Sequence, residues 1–70
     1  MKYRVFSRKV YRRENGRYVP NPGARRMTVD YVQTVQEARR LCAQGPANIA
    51  RDEGREYRNL PFYEFESVGE

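Results

Sequence analysis

Histidine and tryptophan are absent from this 70-residue chain, and cysteine occurs once, at Cys42. Without histidine the usual serine and cysteine nucleophile arrangements, most metal sites and the ordinary general base near neutrality are lost. The composition therefore points away from catalysis and predicts neither a cofactor nor a metal. A single cysteine cannot form an internal disulfide, and together with an unpaired thiol it fits a cytoplasmic protein. No apolar run reaches the length of a membrane span, about 18 residues. The opening Met1-Lys2-Tyr3-Arg4-Val5 leads into alternating sequence with no apolar signal-peptide core, so neither membrane nor export is expected.

Acidic residues are also scarce where basic ones are dense. Residues 1–26 hold nine Lys/Arg against the single acid Glu14, whereas residues 27–70 hold five Arg against eight acids. That asymmetry predicts either an interaction surface on the first part or mutual neutralisation between the two. Six tyrosines and three phenylalanines supply core material despite 33% charged residues, which is not a disordered composition. A chain this short buries only about 60% of its unfolded surface. With disulfides and metals excluded, stability must come from a small well-made core or a second copy, and both monomer and homodimer stay open.

Residues 2–13 are rich in Tyr, Val and Phe and read as one long strand. Its alternation is imperfect: Tyr3 and Val5 share one face, Phe6 and Val10 the other, so either both faces are covered or a bulge near Ser7 shifts the phase. Asn15-Gly16 tolerates the positive φ of a type I′ turn and predicts a hairpin into a short strand at residues 17–19. Pro20-Asn21-Pro22-Gly23 breaks the ladder. Met27, Val29 and Tyr31 then alternate with Thr28, Asp30 and Val32, predicting a strand with one apolar face inward. Thr34-Val35-Gln36-Glu37 is a capping box opening a helix of about three turns, with Val35, Ala38, Leu41 and Cys42 on its buried stripe and Gly45-Pro46 at its end. A second helical turn anchored by Ile49 fits before Gly54. Residues 62–68 form a closing strand with Glu64 and Glu66 on one face and Tyr63 and Phe65 on the other. The fold expected is a single α+β domain over residues 1–70. It has an antiparallel sheet of three to four strands and one main helix on one face, in the order β-β-β-α-β.

Few groups in this set can carry chemistry. Cys42 lies on the helix's apolar stripe, where an inert buried thiol is the common case. Glu64 and Glu66 project together, yet they are better explained as the acidic face of a strand beside the basic first strand. The basic, aromatic hairpin remains. Arg8, Arg12, Arg13, Arg17 and Tyr18 are the candidate partner-binding residues, because the tip projects and carries charge with only Glu14 nearby. Three readings are open for them: a protein surface that is acidic or mixed, DNA or RNA bound through phosphates and stacked bases, or plain solubility.

Two resemblances bear on the choice. The hairpin at Asn15-Gly16-Arg17, a third strand and the helix opening Thr34-Val35-Gln36-Glu37-Ala38 resemble, in order, the arm-type DNA-binding domain of phage integrases, which implies readout of a DNA groove by the sheet. The acidic closing strand departs from that pattern. The whole chain also resembles small accessory proteins of tailed bacteriophages, with their basic hairpin, Thr-x-x-Glu-Ala-Arg helix carrying a cysteine, and aromatic-acidic end such as Pro61-Phe62-Tyr63-Glu64. That likeness implies a host-takeover or anti-defence role. A tiny non-enzymatic protein would bind and inhibit or redirect a host protein complex that handles nucleic acid, such as RNA polymerase or a CRISPR effector. Direct nucleic-acid binding by the hairpin is the rival expectation.

Overall fold

The computed structural model describes residues 2–69. Its elements are β1 (Tyr3–Arg8), β2 (Tyr11–Glu14), β3 (Arg17–Pro20), β4 (Met27–Val32), α1 (Val35–Cys42), α2 (Pro46–Asp52) and β5 (Phe62–Ser67). The α+β class and the helix-on-sheet arrangement are as the sequence predicts. The main sheet has three strands, within the expected three to four, but the element order is not β-β-β-α-β. The segment read as one strand over residues 2–13 is two strands, β1 and β2, belonging to different sheets: a three-stranded antiparallel sheet ordered β4-β1-β5 and a separate β2-β3 hairpin.

The split follows from where the neighbours of β1 end. Its last pair with β5 is Arg8 opposite Phe62, and the residue before Phe62 is Pro61, which has no amide to donate. On the other side, pairing with β4 stops at Ser7 opposite Met27. Beyond Arg8 the chain has no ladder to continue, so it leaves the sheet at Lys9 and Val10 and pairs with β3 instead. The predicted turn is present, with Asn15 at φ 51° and Gly16 at φ 77°.

Val5 and Phe6 are consecutive and both buried, so both faces of β1 are covered. Val5 faces α1 and forms the core with Val32 and Ala38, with Tyr3, Leu41, Cys42, Tyr63 and Phe65 packed around it. Phe6 faces the other side, where its cover is cationic. The alternative, a bulge near Ser7, is not what the structure holds: Ser7 stays in register with Met27 and Tyr63, and the bulge lies in β4, where Val5 pairs with Asp30 and Phe6 with Thr28, leaving Val29 as the extra residue. The expected inward face of Met27, Val29 and Tyr31 does not form: Val32 and Asp30 pair with Tyr3 and Val5, which turns Tyr31 to the other side with Arg4. Met27, Val29 and Tyr31 are 63%, 39% and 53% exposed, and only Val32 of that strand is buried. The phase changes halfway along an edge strand, and α1 covers only its Val32 end.

The capping box forms with one change. Thr34 Oγ1 accepts from the Glu37 amide at 3.1 Å, but it donates its own proton to Glu37 Oε1 at 3.1 Å, so the glutamate engages the hydroxyl. The helix is eight residues, two turns instead of three, because the chain tightens over Ala43 and Gln44 before Gly45. Pro46 opens α2 at once, where its fixed φ and missing amide cost nothing. The residues that dock α2 are Ala47 and Ala50, both fully buried; Ile49, the expected anchor, is 37% exposed. Small side chains win here because α2 lies close against β5, with the Ala47 amide donating to the Pro61 carbonyl at 3.0 Å. No helix among the described residues is long and apolar enough to cross a membrane.

Candidate interaction arm

The face of the sheet opposite the helices carries Arg4, Phe6 and Arg8 from β1 and Glu64 and Glu66 from β5. Their spacing of two on paired antiparallel strands brings unlike charges together. Arg4 pairs with Glu66 at 3.1 Å, Arg26 takes the other oxygen of Glu66 at 3.1 Å, and Arg8 pairs with Glu64 at 3.0 Å. The guanidinium groups of Arg4 and Arg26 lie 5.4 and 4.9 Å from the centre of the Phe6 ring. This face is therefore an ion-paired layer of three arginines and two glutamates over an aromatic ring. The expected pairing of the basic first strand with the acidic last one holds here, and it removes Arg8 from the hairpin set. Arg8 sits in the sheet, partly buried, with its Nε enclosed and lacking a hydrogen-bond partner.

Arg12, Arg13, Arg17 and Tyr18 are brought together on the β2-β3 arm. Pairing places Arg13 opposite Tyr18 and Arg12 opposite Val19, so the two arginines point to opposite faces. Arg12 reaches Glu14 at 3.2 Å, an exposed pair on one strand. Arg17 stands opposite Glu14 in the ladder without forming an ion pair with it, and among the described residues neither Arg13 nor Arg17 has an ion pair. Two guanidinium groups lie over Tyr18: Arg13 at 5.8 Å and Arg58 at 5.1 Å from the ring centre.

Arg58 belongs to the segment between α2 and β5, which also fixes the arm's position. Tyr57 packs edge-on against Tyr11 of β2 and Phe62 of β5, with centroids 6.4 and 5.8 Å apart. At the arm's base the Asn21 amide donates to the Val10 carbonyl at 2.8 Å, and the Asn21 side chain to the Lys9 carbonyl at 3.3 Å. The sequence offers no local sign of this bracing, since Tyr57 and Arg58 reach the hairpin from more than 35 residues away. Arg58 and Asn59 were thereby missed, while Lys9 and Arg25, counted in the basic first part of the chain, were not among the candidate partner-binding residues.

Two grooves open beside the arm. One, about 360 Å³, is lined by Lys9, Tyr11, Arg12, Arg13, Tyr18, Asn21, Arg58 and Asn59. The other, about 390 Å³, lies between the end of β1 and the loop before β4 and shares Lys9 and Asn21 with the first. No carboxylate lines either one, whereas the grooves elsewhere contain Glu64, Asp30 or Glu37. Cys42 is half-buried beside the core, and burial, helped by the charge of Glu64, pushes its thiol above the ordinary range. Among the described residues no group of three or more potential ligands could hold a metal ion. No protein-family model, curated protein or solved structure matches the chain.

Proposed function

We propose that this chain is a non-enzymatic docking protein whose β2-β3 arm captures an acidic surface on a partner protein. The observation that carries this reading is the unequal treatment of its arginines. Those in the sheet are fixed to Glu64 and Glu66, while Arg13 and Arg17 on a braced arm have no carboxylate among the described residues. An unpaired guanidinium on a rigid element is well suited to recognition, because little ordering is needed when it binds a carboxylate bidentately.

Nucleic acid is the rival ligand for the same cations. Two observations favour protein. On the sheet face that an integrase-like reader would lay on DNA, the three arginines Arg4, Arg8 and Arg26 are already held by Glu64 and Glu66. Tyr18, the arm's aromatic suited to stacking a base, is already covered by two guanidinium groups. The identity of the partner as a host complex that handles nucleic acid, the inhibitory or redirecting outcome, and action in the host cytoplasm are supported by the likeness to phage accessory proteins.

The test uses the double substitution Arg13→Glu with Arg17→Glu. Both side chains are exposed, and the like charge that Arg17→Glu sets opposite Glu14 weakens only the exposed hairpin ladder, so a melting curve is recorded beside the binding measurement to show that the variant is folded. Affinity purification from a bacterial lysate with wild-type bait should retain a partner that the variant bait loses; equal retention would remove the arm from consideration. In parallel, binding to random duplex and single-stranded DNA is titrated with salt. A steep log-linear weakening, with affinity comparable to that for the partner, would make nucleic acid the ligand instead.

A further inference from the structure

The two carboxylate-free grooves are one continuous surface with different linings. In the groove along the arm, cations surround Tyr11 and Tyr18. Its neighbour is lined by the apolar Ala24, Met27 and Pro61 and by the basic Lys9 and Arg25, together with Arg8, which Glu64 already holds. Asn21, tied to Lys9 and Val10 of the main chain, stands at the junction, so the connection between grooves is held in shape. Met27 is 63% exposed, the most solvent-accessible large apolar side chain of the described residues. A flexible thioether beside cations is suited to receiving an apolar group that arrives with negative charge.

We infer that the segment captured by the arm is an acidic peptide carrying one aliphatic side chain. Its carboxylates meet Lys9, Arg13 and Arg25, and its aliphatic group seats on Met27, Ala24 and Pro61. This deepens the docking reading above and rests on it. A nucleotide fits the second groove poorly, because no aromatic ring lines it to stack a base. An aliphatic side chain fits it well, since its apolar residues offer contact and no carboxylate in its lining repels an anion. The arrangement divides the work as interfaces commonly do, with a small apolar anchor inside a charged rim that sets orientation and partner choice.

The probe is a pair of fluorescein-labelled peptides of glutamate and glycine, one with a central leucine and the other with serine in its place. Binding is followed by anisotropy at one fixed, low salt concentration. Wild type should hold the leucine peptide about tenfold more tightly than its twin. Met27→Ser should erase that preference while leaving affinity for the serine peptide unchanged. Ala24→Glu, which sets a carboxylate in that lining, should lower affinity for the leucine peptide further. Far-ultraviolet circular dichroism and a melting curve confirm that each variant is folded, and the exposure of Met27 makes its loss harmless to the core. Equal binding of both peptides by wild type would overturn the aliphatic seat, and so would a leucine preference that survives Met27→Ser. If the Arg13→Glu, Arg17→Glu variant weakens both peptides in that case, the arm reading stands without the seat. Failure of both peptides to bind wild type, or tighter binding of a duplex oligonucleotide than of the leucine peptide, would sink the two together.

Discussion

Arg58 reaches the arm because Glu56 holds it. The Glu56 carboxylate accepts from Arg58 Nε at 3.0 Å, from Nη2 at 2.8 Å and from the Arg58 backbone amide at 2.8 Å. The side-chain bonds from Arg58, followed by its backbone amide, favour the charged form and lower the Glu56 pKa from 4.5 to about 2. A carboxyl held below its unfolded value gives a contribution that is fully present above that unfolded value and is lost as pH falls toward about 2. The lock is thus intact at neutral pH and opens only in strong acid. A side-chain carboxyl titration of Glu56 by NMR should show its midpoint near the lowered value, and an ordinary glutamate midpoint would refute the fork geometry. Glu56→Gln should also broaden the Tyr18 ring signals, because the guanidinium above that ring loses its anchor.

At the scale of elements, what the sequence made legible was whatever depended on near neighbours. Thr34 and Glu37 start α1, Asn15-Gly16 turns the hairpin, and Pro46 after Gly45 separates the helices; each works through residues no more than four apart. The alternation of Glu64 and Glu66 likewise announced their pairing with the basic first strand. What stayed hidden depended on partners far along the chain. The break after Arg8 is set by Pro61, the phase of β4 by the pairing of Val32 with Tyr3, and the bracing of the arm by Tyr57 and Arg58. The site was therefore half legible: Arg12, Arg13, Arg17 and Tyr18 gather as expected, while Arg8 was assigned to the arm only because β1 and β2 read as one strand. Docking of α2 is another distant effect with a sharp test. Asn48 Oδ1 accepts from the Tyr63 amide at 2.9 Å, and the chain passes so close that a Cβ on Gly45 would meet the Asn48 side chain and stand 2.9 Å from the backbone nitrogen of Tyr63. Main chain cannot yield there. Gly45→Ala should cost about 1–3 kcal/mol, more than an exposed helix-end substitution, and Asn48→Ala about 1–3 kcal/mol by leaving that amide unpaired. Urea unfolding measures both; a neutral Gly45→Ala would show that α2 does not pack against β5 this closely.

For the molecule as a whole, a three-stranded sheet has two edges, and unpaired edges invite another chain. The β5 edge is covered by α2, through Asn48 and Tyr63 and through the Ala47 amide on the Pro61 carbonyl. Among the described residues no element covers the β4 edge, and it presents the exposed Met27, Val29 and Tyr31. Two devices guard it. The Val29 bulge breaks the regular spacing that a further strand would need. Asp30 Oδ1 accepts from the Tyr31 amide at 2.7 Å, occupying a donor at the edge and placing a negative charge there. Two copies approaching edge to edge would bring two such carboxylates into the seam, where like charges facing each other are unfavourable. The bulge and the Asp30 carboxylate thus work against self-pairing of this edge. Wild type should therefore sediment as a monomer with no dependence on concentration across the micromolar range. Asp30→Val frees the Tyr31 amide, removes the charge and adds β-forming surface, so its sedimentation coefficient should rise with concentration, with new hydrogen-exchange protection at residues 27–32. If wild type dimerises as strongly as Asp30→Val and already protects those amides, then β4 is a subunit seam and not a guarded edge.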